Sequence, residues 1–157
     1  MTGCPRSARC RGPRAPGDLK GSDSITDNDD PTYVRRVDFD SLAAVAKRGE
    51  LAMQTLLGHN SGARNCLINV FILPPQTGSP VGWHTHEGEQ IFYILSGTLT
   101  FEIAGKRFLV PPGSIQITPP GLPHRNWNEG PEDVHLLSFN TPLPNPDRPI
   151  AHPAEAP

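Results

Sequence analysis

The chain is short of cysteine, of aromatic residues and of unbroken apolar runs. It has three cysteines, Cys4, Cys10 and Cys66, in 157 residues. An odd number cannot pair completely within the chain, which argues against a disulfide framework and for a reducing, cytoplasmic setting. No apolar run approaches the ~20 residues of a membrane span, and no apolar signal-peptide core follows Met1. No membrane partner is therefore expected. An excess of one charge is missing too. The formal net charge is −2, which gives no electrostatic reason to expect nucleic acid. Aromatic residues make up 6% and hydrophobic residues 36%, enough for one core in a chain of this length.

Proline and glycine are plentiful, nineteen and fifteen residues respectively. They impose frequent turns and leave little room for long helices. Residues 1–31 carry arginines, then aspartates, among prolines, with almost nothing apolar to bury. This stretch is read as a disordered N-terminal tail. Its arginines raise a transit peptide as an alternative, which its prolines and glycines oppose, and an upstream start codon is a further reading. Residues 32–141 read as one domain, and 142–157 as a proline-rich C-terminal tail that lies extended along the domain or hangs free.

Within the domain, Tyr33 to Phe39 alternates like a strand. Asp40 or Ser41 is placed to cap a short helix over Leu42 to Lys47, ended by Gly49. Strands are expected at Leu51–Leu57, Asn65–Leu73, Gln90–Leu95, Leu99–Ile103, Arg107–Val110, around Ile115 and Ile117, at His124–Asn128 and at Val134–Phe139. Turns fall between them at Gly58–Gly62, Pro74–Pro75, Ser96–Gly97, Ala104–Lys106, Pro111–Gly113 and Glu129–Pro131. Short strands with turns at this spacing imply an all-β sandwich or barrel. Cys66 then reads as sheet packing.

Two runs carry the chemistry. One is Gly78-Ser79-Pro80-Val81-Gly82-Trp83-His84-Thr85-His86-Glu87-Gly88-Glu89-Gln90, and the other Pro119-Pro120-Gly121-Leu122-Pro123-His124-Arg125-Asn126-Trp127-Asn128. Residues two apart on a strand share a face, so His84 and His86 can reach one ion. Gln90 has the same parity if the strand resumes after a Glu87-Gly88 turn, and His124 can join from a strand folded back beside the first. Neutral imidazole is the commonest metal-binding side chain. The candidate ligands of one divalent ion are thus His84, His86, Gln90 and His124. Glu89 is the register alternative to Gln90, and by parity it points away. Phe92 and Ile94, and Asn126 and Asn128, share the ligands' parity and are expected to line the pocket, with plain core packing the simpler reading of Phe92 and Ile94. Trp83 and Trp127 have the opposite parity.

The spacing of these runs resembles that of the cupins. Gly78, His84-Thr85-His86, Gln90 and Gly97 follow the first cupin motif. Gly113, Pro119, Gly121, His124 and Asn128 follow the second, after an interval of fifteen residues from Gly97. Glutamate is usual in the family at the place of Gln90, and some members use glutamine. The resemblance implies a double-stranded β-helix, a jelly-roll barrel, and a homodimer formed through sheet edges, with Tyr33–Phe39 or Leu51–Leu57 near the interface.

Three histidines and a neutral amide leave a divalent ion its full charge, which favours an enolate, phenolate or carboxylate as its further ligand. Imidazole suits Fe, Ni, Cu and Zn, and oxygen donors admit Mn. The reading drawn is a metal-dependent oxygenase, dioxygenase-like, for a small enol, phenol or keto acid. An isomerase, cyclase or lyase using the same ion, or a binding module without turnover, are the alternatives. Neither Ser79 nor Ser96 has a base and orienting acid arranged as a triad.

Overall fold

A computed structural model of the protein describes residues 34–157. The N-terminal tail expected over 1–31, and Tyr33, lie outside the described residues. The described residues form one α-helix, α1 (Phe39–Ala46), a short 3-10 helix at His59–Ser61, and ten strands: β1 (Ala52–Leu57), β2 (Leu67–Leu73), β3 (His84–Thr85), β4 (Glu89–Ser96), β5 (Leu99–Ile103), β6 (Lys106–Val110), β7 (Ile115–Thr118), β8 (His124–Trp127), β9 (Val134–Thr141) and β10 (His152–Pro153). They build two five-stranded antiparallel sheets, ordered β1-β2-β9-β4-β7 and β10-β3-β8-β5-β6. The all-β jelly-roll barrel expected from the sequence is the fold observed.

Alternation decides what each strand places inside. On β9 the buried residues are Val134, Leu136, Ser138 and Asn140, and on β4 they are Gln90, Phe92 and Ile94. The inward series runs from apolar to polar along β9 and from polar to apolar along the antiparallel β4. Register aligns the two gradients, pairing Ile94 with Leu136 and Gln90 with Asn140. The interior therefore has an apolar end, built from Phe71, Leu73, Phe92, Ile94, Leu99, Phe101, Val110, Val134 and Leu136. Its other end is polar. Burying an aliphatic side chain contributes about 1.5–3 kcal/mol, so the apolar end supplies most of the barrel's cohesion.

Strand β2 is buried on both faces. Phe71 and Leu73 join the barrel core, while Val70 and Ile72 pack with Leu42, Ala46 and Ala52 beneath α1. This explains why Val70–Leu73 is a continuous apolar run rather than alternating.

The structure corrects the first expected strand and the helix cap. Residues 34–38 are not a strand, and Phe39 opens the helix. The cap is Asp38, not Asp40 or Ser41: its side chain accepts a hydrogen bond from the Ser41 backbone N–H at 3.0 Å. Gln54 holds the preceding segment, its amide donating to the Arg36 carbonyl and accepting from the Asp38 N–H. Those bonds replace the ladder an alternating sequence would otherwise have sought.

The C-terminal segment returns to the sheet through two residues. Strand β10 pairs with β3, setting Pro153 opposite His84 and His152 opposite Thr85. The Ala154 N–H bonds the Trp83 carbonyl at 2.9 Å. Among the described residues no helix is long and apolar enough to cross a membrane.

The motif glycines have steric reasons. A Cβ on Gly78 would lie 2.5 Å from the Asn126 carbonyl oxygen. Gly97 has φ +72°, and a Cβ there would lie 2.6 Å from the Asp133 oxygen. Neither position admits a side chain without moving backbone.

Candidate metal centre

Strands β3 and β8 set His84 directly opposite His124. His86 follows on the same side of the chain, where the loop between β7 and β8 meets it: the Gly121 N–H bonds the His86 carbonyl at 2.9 Å. The three rings converge, with centroids 4.2 Å apart for His84 and His124, 4.9 Å for His84 and His86, and 5.0 Å for His86 and His124. One nitrogen from each lies within 4.8 Å of the others. Two ligands of one ion at ~2.1 Å are at most about 4.2 Å apart, so small ring rotations suffice.

Each ring is oriented by a carbonyl. Nδ1–H donates to the Gly82 oxygen in His84 (2.9 Å), to Leu122 in His124 (2.9 Å) and to Ile150 in His86 (2.8 Å). A carbonyl only accepts, so Nδ1 carries the proton and Nε2 keeps its lone pair. All three Nε2 atoms are buried and lack a hydrogen-bond partner, as does Oε1 of Gln90. Four buried acceptors without donors, in one place, fit a cation. Each would otherwise cost about 1–3 kcal/mol of lost hydration. This group of histidines can hold a metal ion.

Burial also sets the charge state. It lowers the pKa of all three histidines, and that of His124 to about 4. The carbonyl partners, and for His86 the Gln90 amide, offset this only in part. At neutral pH the rings are neutral, the form that ligates metal.

The remaining candidates fall as follows. Gln90 is buried and faces the histidines, its Nε2 donating to Asn140 Oδ1 at 3.4 Å. Glu89 sits half-buried with the opposite parity, opposite Thr141. Phe92 and Ile94 point inward but belong to the apolar core. Asn126 points inward and is fully buried. Asn128 is a correction. It shares the parity, yet its amide donates to the Leu73 and Glu132 carbonyls (2.8 and 2.7 Å) and accepts from the Gly130 N–H (2.9 Å). It clasps the β8–β9 turn rather than lining a pocket. Trp83 and Trp127 lie on the outer side, stacked on Arg125 at 5.1 and 4.6 Å.

Several inward polar residues escaped the sequence reading: Gln116, Thr118, Ser138 and Asn140. Alternation through Val134–Thr141 carried the signal for the last two. On β7 the apolar Ile115 and Ile117 face solvent instead. The Ile150 carbonyl, a backbone atom from the C-terminal segment, has no sequence signature at all. That segment also closes a cavity of about 310 Å³ beside His86, walled by Asn140, Pro142, Leu143, Arg148 and Ile150 among others. Arg148 bonds Glu87 at 3.1 Å at its edge.

Known proteins resemble this chain in sequence and fold. Residues 69–140 match the sequence profile of the cupin domain family. The oxalate-binding protein of Thermotoga maritima is 38% identical over 96 residues, 58% of this chain and 75% of that protein. A crystal structure from the same organism, described as a predicted oxalate decarboxylase, aligns with TM-score 0.54 and 34% identity over 60% of this chain and 83% of that one. The polyketide cyclase RemF from Streptomyces resistomycificus aligns with TM-score 0.56 and 24% identity over 69% and 73% of the two chains, a likeness of fold alone. Motif spacing, barrel and relatives agree, and this chain belongs to the cupin superfamily.

Proposed function

We propose that the protein is a metal-dependent oxygenase acting on a small chelating carboxylate, enol or keto acid. The ion's ligands would be Nε2 of His84, His86 and His124 and Oε1 of Gln90. The observation that carries this reading is the convergence of those four buried, unpartnered atoms. When bound, such an ion polarises a chelating oxygen and, if redox-active, supports chemistry with dioxygen. The chain's own contribution is orientation and charge. Gly82, Leu122 and Ile150 fix the three rings, and Asn140 fixes the Gln90 amide. All four ligands are neutral, so the site favours an anion more than one with a carboxylate ligand would. The cavity beside His86 gives a small molecule its approach.

A second reading has its own support. A relative 38% identical is called an oxalate-binding protein, and a 34% identical structure a predicted oxalate decarboxylase. On that ground the protein binds oxalate or a similar acid, with non-oxidative cleavage or without turnover. A cytoplasmic location belongs to either reading. The experiment is turnover by metal-analysed protein on enol, phenol, keto-acid and oxalate panels, in air and without oxygen. Oxygen-dependent product formation supports the oxygenase. Turnover indifferent to oxygen, or saturable binding with no product, replaces it with the second reading. Protein that takes up no stoichiometric divalent metal defeats both.

A further inference from the structure

Among the described residues eight buried side-chain atoms lack a hydrogen-bond partner. The proposed ion accounts for four of them. His152 Nε2 lies at the barrel's edge, 4.0 Å from the Glu87 carboxylate. The other three are Oε1 of Gln116 and both amide atoms of Asn126. Asn126 is 0% exposed and Gln116 3%. An amide with both ends unmet in the interior is costly, since each lost partner costs about 1–3 kcal/mol.

Register shows where these amides stand. Asn126 follows His124 by two residues on β8, on the same face, and lies opposite Phe101 on β5. Gln116 precedes Thr118 by two on β7. Thr118 pairs with Gln90, and Gln116 with Phe92. Both amides therefore sit one inward step from the ligand row, on opposite sheets, between that row and the apolar core. Phe92 and Phe101 are their cross-strand neighbours at this level. Gln116 Nε2 is already used on the Thr118 hydroxyl. Two acceptors, Gln116 Oε1 and Asn126 Oδ1, and one donor, Asn126 Nδ2, remain.

We infer that Asn126, with Gln116 facing it, contacts the bound small molecule, and that this molecule is an α-hydroxy carboxylate or the enol form of a keto acid. The inference rests on the metal site of the proposed function and names its substrate class. A carboxylate oxygen takes the Asn126 N–H. The hydroxyl donates to Asn126 Oδ1 or Gln116 Oε1. Oxalate dianion has acceptors only and leaves both amide oxygens unmet, so this level of the barrel discriminates against it. Selection by buried polar groups is strong because the wrong ligand strands them.

The test uses the full chain, loaded with divalent metal and assayed for metal content first, with glycolate and oxalate as probes in calorimetric titration. Asn126→Leu is expected to keep the metal, to keep or raise the thermal midpoint because it removes an unmet amide, and to weaken glycolate about tenfold or more. Oxalate should weaken by a smaller factor. Asn126→Asp, of the same volume, loses the donor and adds a negative charge, and should weaken both acids. Unchanged glycolate affinity in either folded, metal-loaded variant overturns the inference. So does an equal loss of both acids in Asn126→Leu, or a large fall in its thermal midpoint, which would mark Asn126 as structural through ordered water. Wild-type protein without metal shows that the underlying site reading has failed, before any acid is added, and takes the inference with it.

Discussion

At the scale of single residues, one strand position separates the proposed ligand Gln90 from its neighbour Glu89. Gln90 faces the three histidines and Glu89 faces away. Gln90→Ala should weaken divalent-metal binding by tenfold or more, while Glu89→Ala changes it less than about twofold; equal losses by metal titration would place a bulge at this point. His86→Ala and His124→Ala should each abolish stoichiometric metal. The same histidines set a pH dependence. Burial lowers their pKa in the folded chain, to about 4 for His124 against an ordinary 6.5. As pH falls, the unfolded chain binds these protons first. The histidines' contribution to the stability of the metal-free protein should therefore be level above about pH 7.5 and be lost as pH drops from 6.5 toward 4. His124 alone would account for roughly 3 kcal/mol of that loss. Urea unfolding across this range checks the sign; a metal-free protein more stable at pH 4.5 than at 7 would contradict it.

Elements bring these residues together, and the sequence was legible here in proportion to how strictly strand parity applied. Parity placed His84, Gln90 and Asn126 on the inner face because β3, β4 and β8 are regular there. It misled at Asn128, which lies past the end of β8, where its amide serves the turn. On β7 alternation was visible, but periodicity does not say which face is inside, and the apolar Ile115 and Ile117 face out. The strand expected over Tyr33–Phe39 failed in its described part, residues 34–39, because a helix cap at Asp38 competes with any ladder. The C-terminal segment makes the sharpest prediction at this scale. The Ile150 carbonyl holds the tautomer of His86, and β10 lines the edge of β3. A chain ending at Pro149 should fold, because the apolar core lies elsewhere, yet bind metal about 10–100-fold more weakly, as loss of such outer partners does. Undiminished metal affinity in the truncated protein would show that the ring needs no such support.

The whole molecule leaves a surface to explain. Tyr93, Leu95, Ile115 and Ile117 are exposed on the outer face of β4 and β7, and β7 is a sheet edge. An apolar edge of this kind invites pairing. We expect the homodimer anticipated from the sequence to use this face, a different place from Leu51–Leu57. Light scattering at micromolar concentration should give twice the mass of the chain, and Ile117→Lys should reduce it to the monomer without loss of metal. A wild-type monomer would refute the assembly. What the sequence alone determined was the architecture and the histidine pair on one strand face: turn residues at short intervals, and histidines at a two-residue period, are local facts that any strand obeys. What only the tertiary structure decided was everything joined across strands. The match of polar to polar along β4 and β9, the carbonyl of Ile150 on His86, and the unmet amides of Asn126 and Gln116 depend on register and on backbone atoms brought from distant parts of the chain. Those relations are set by packing, and no local pattern encodes them.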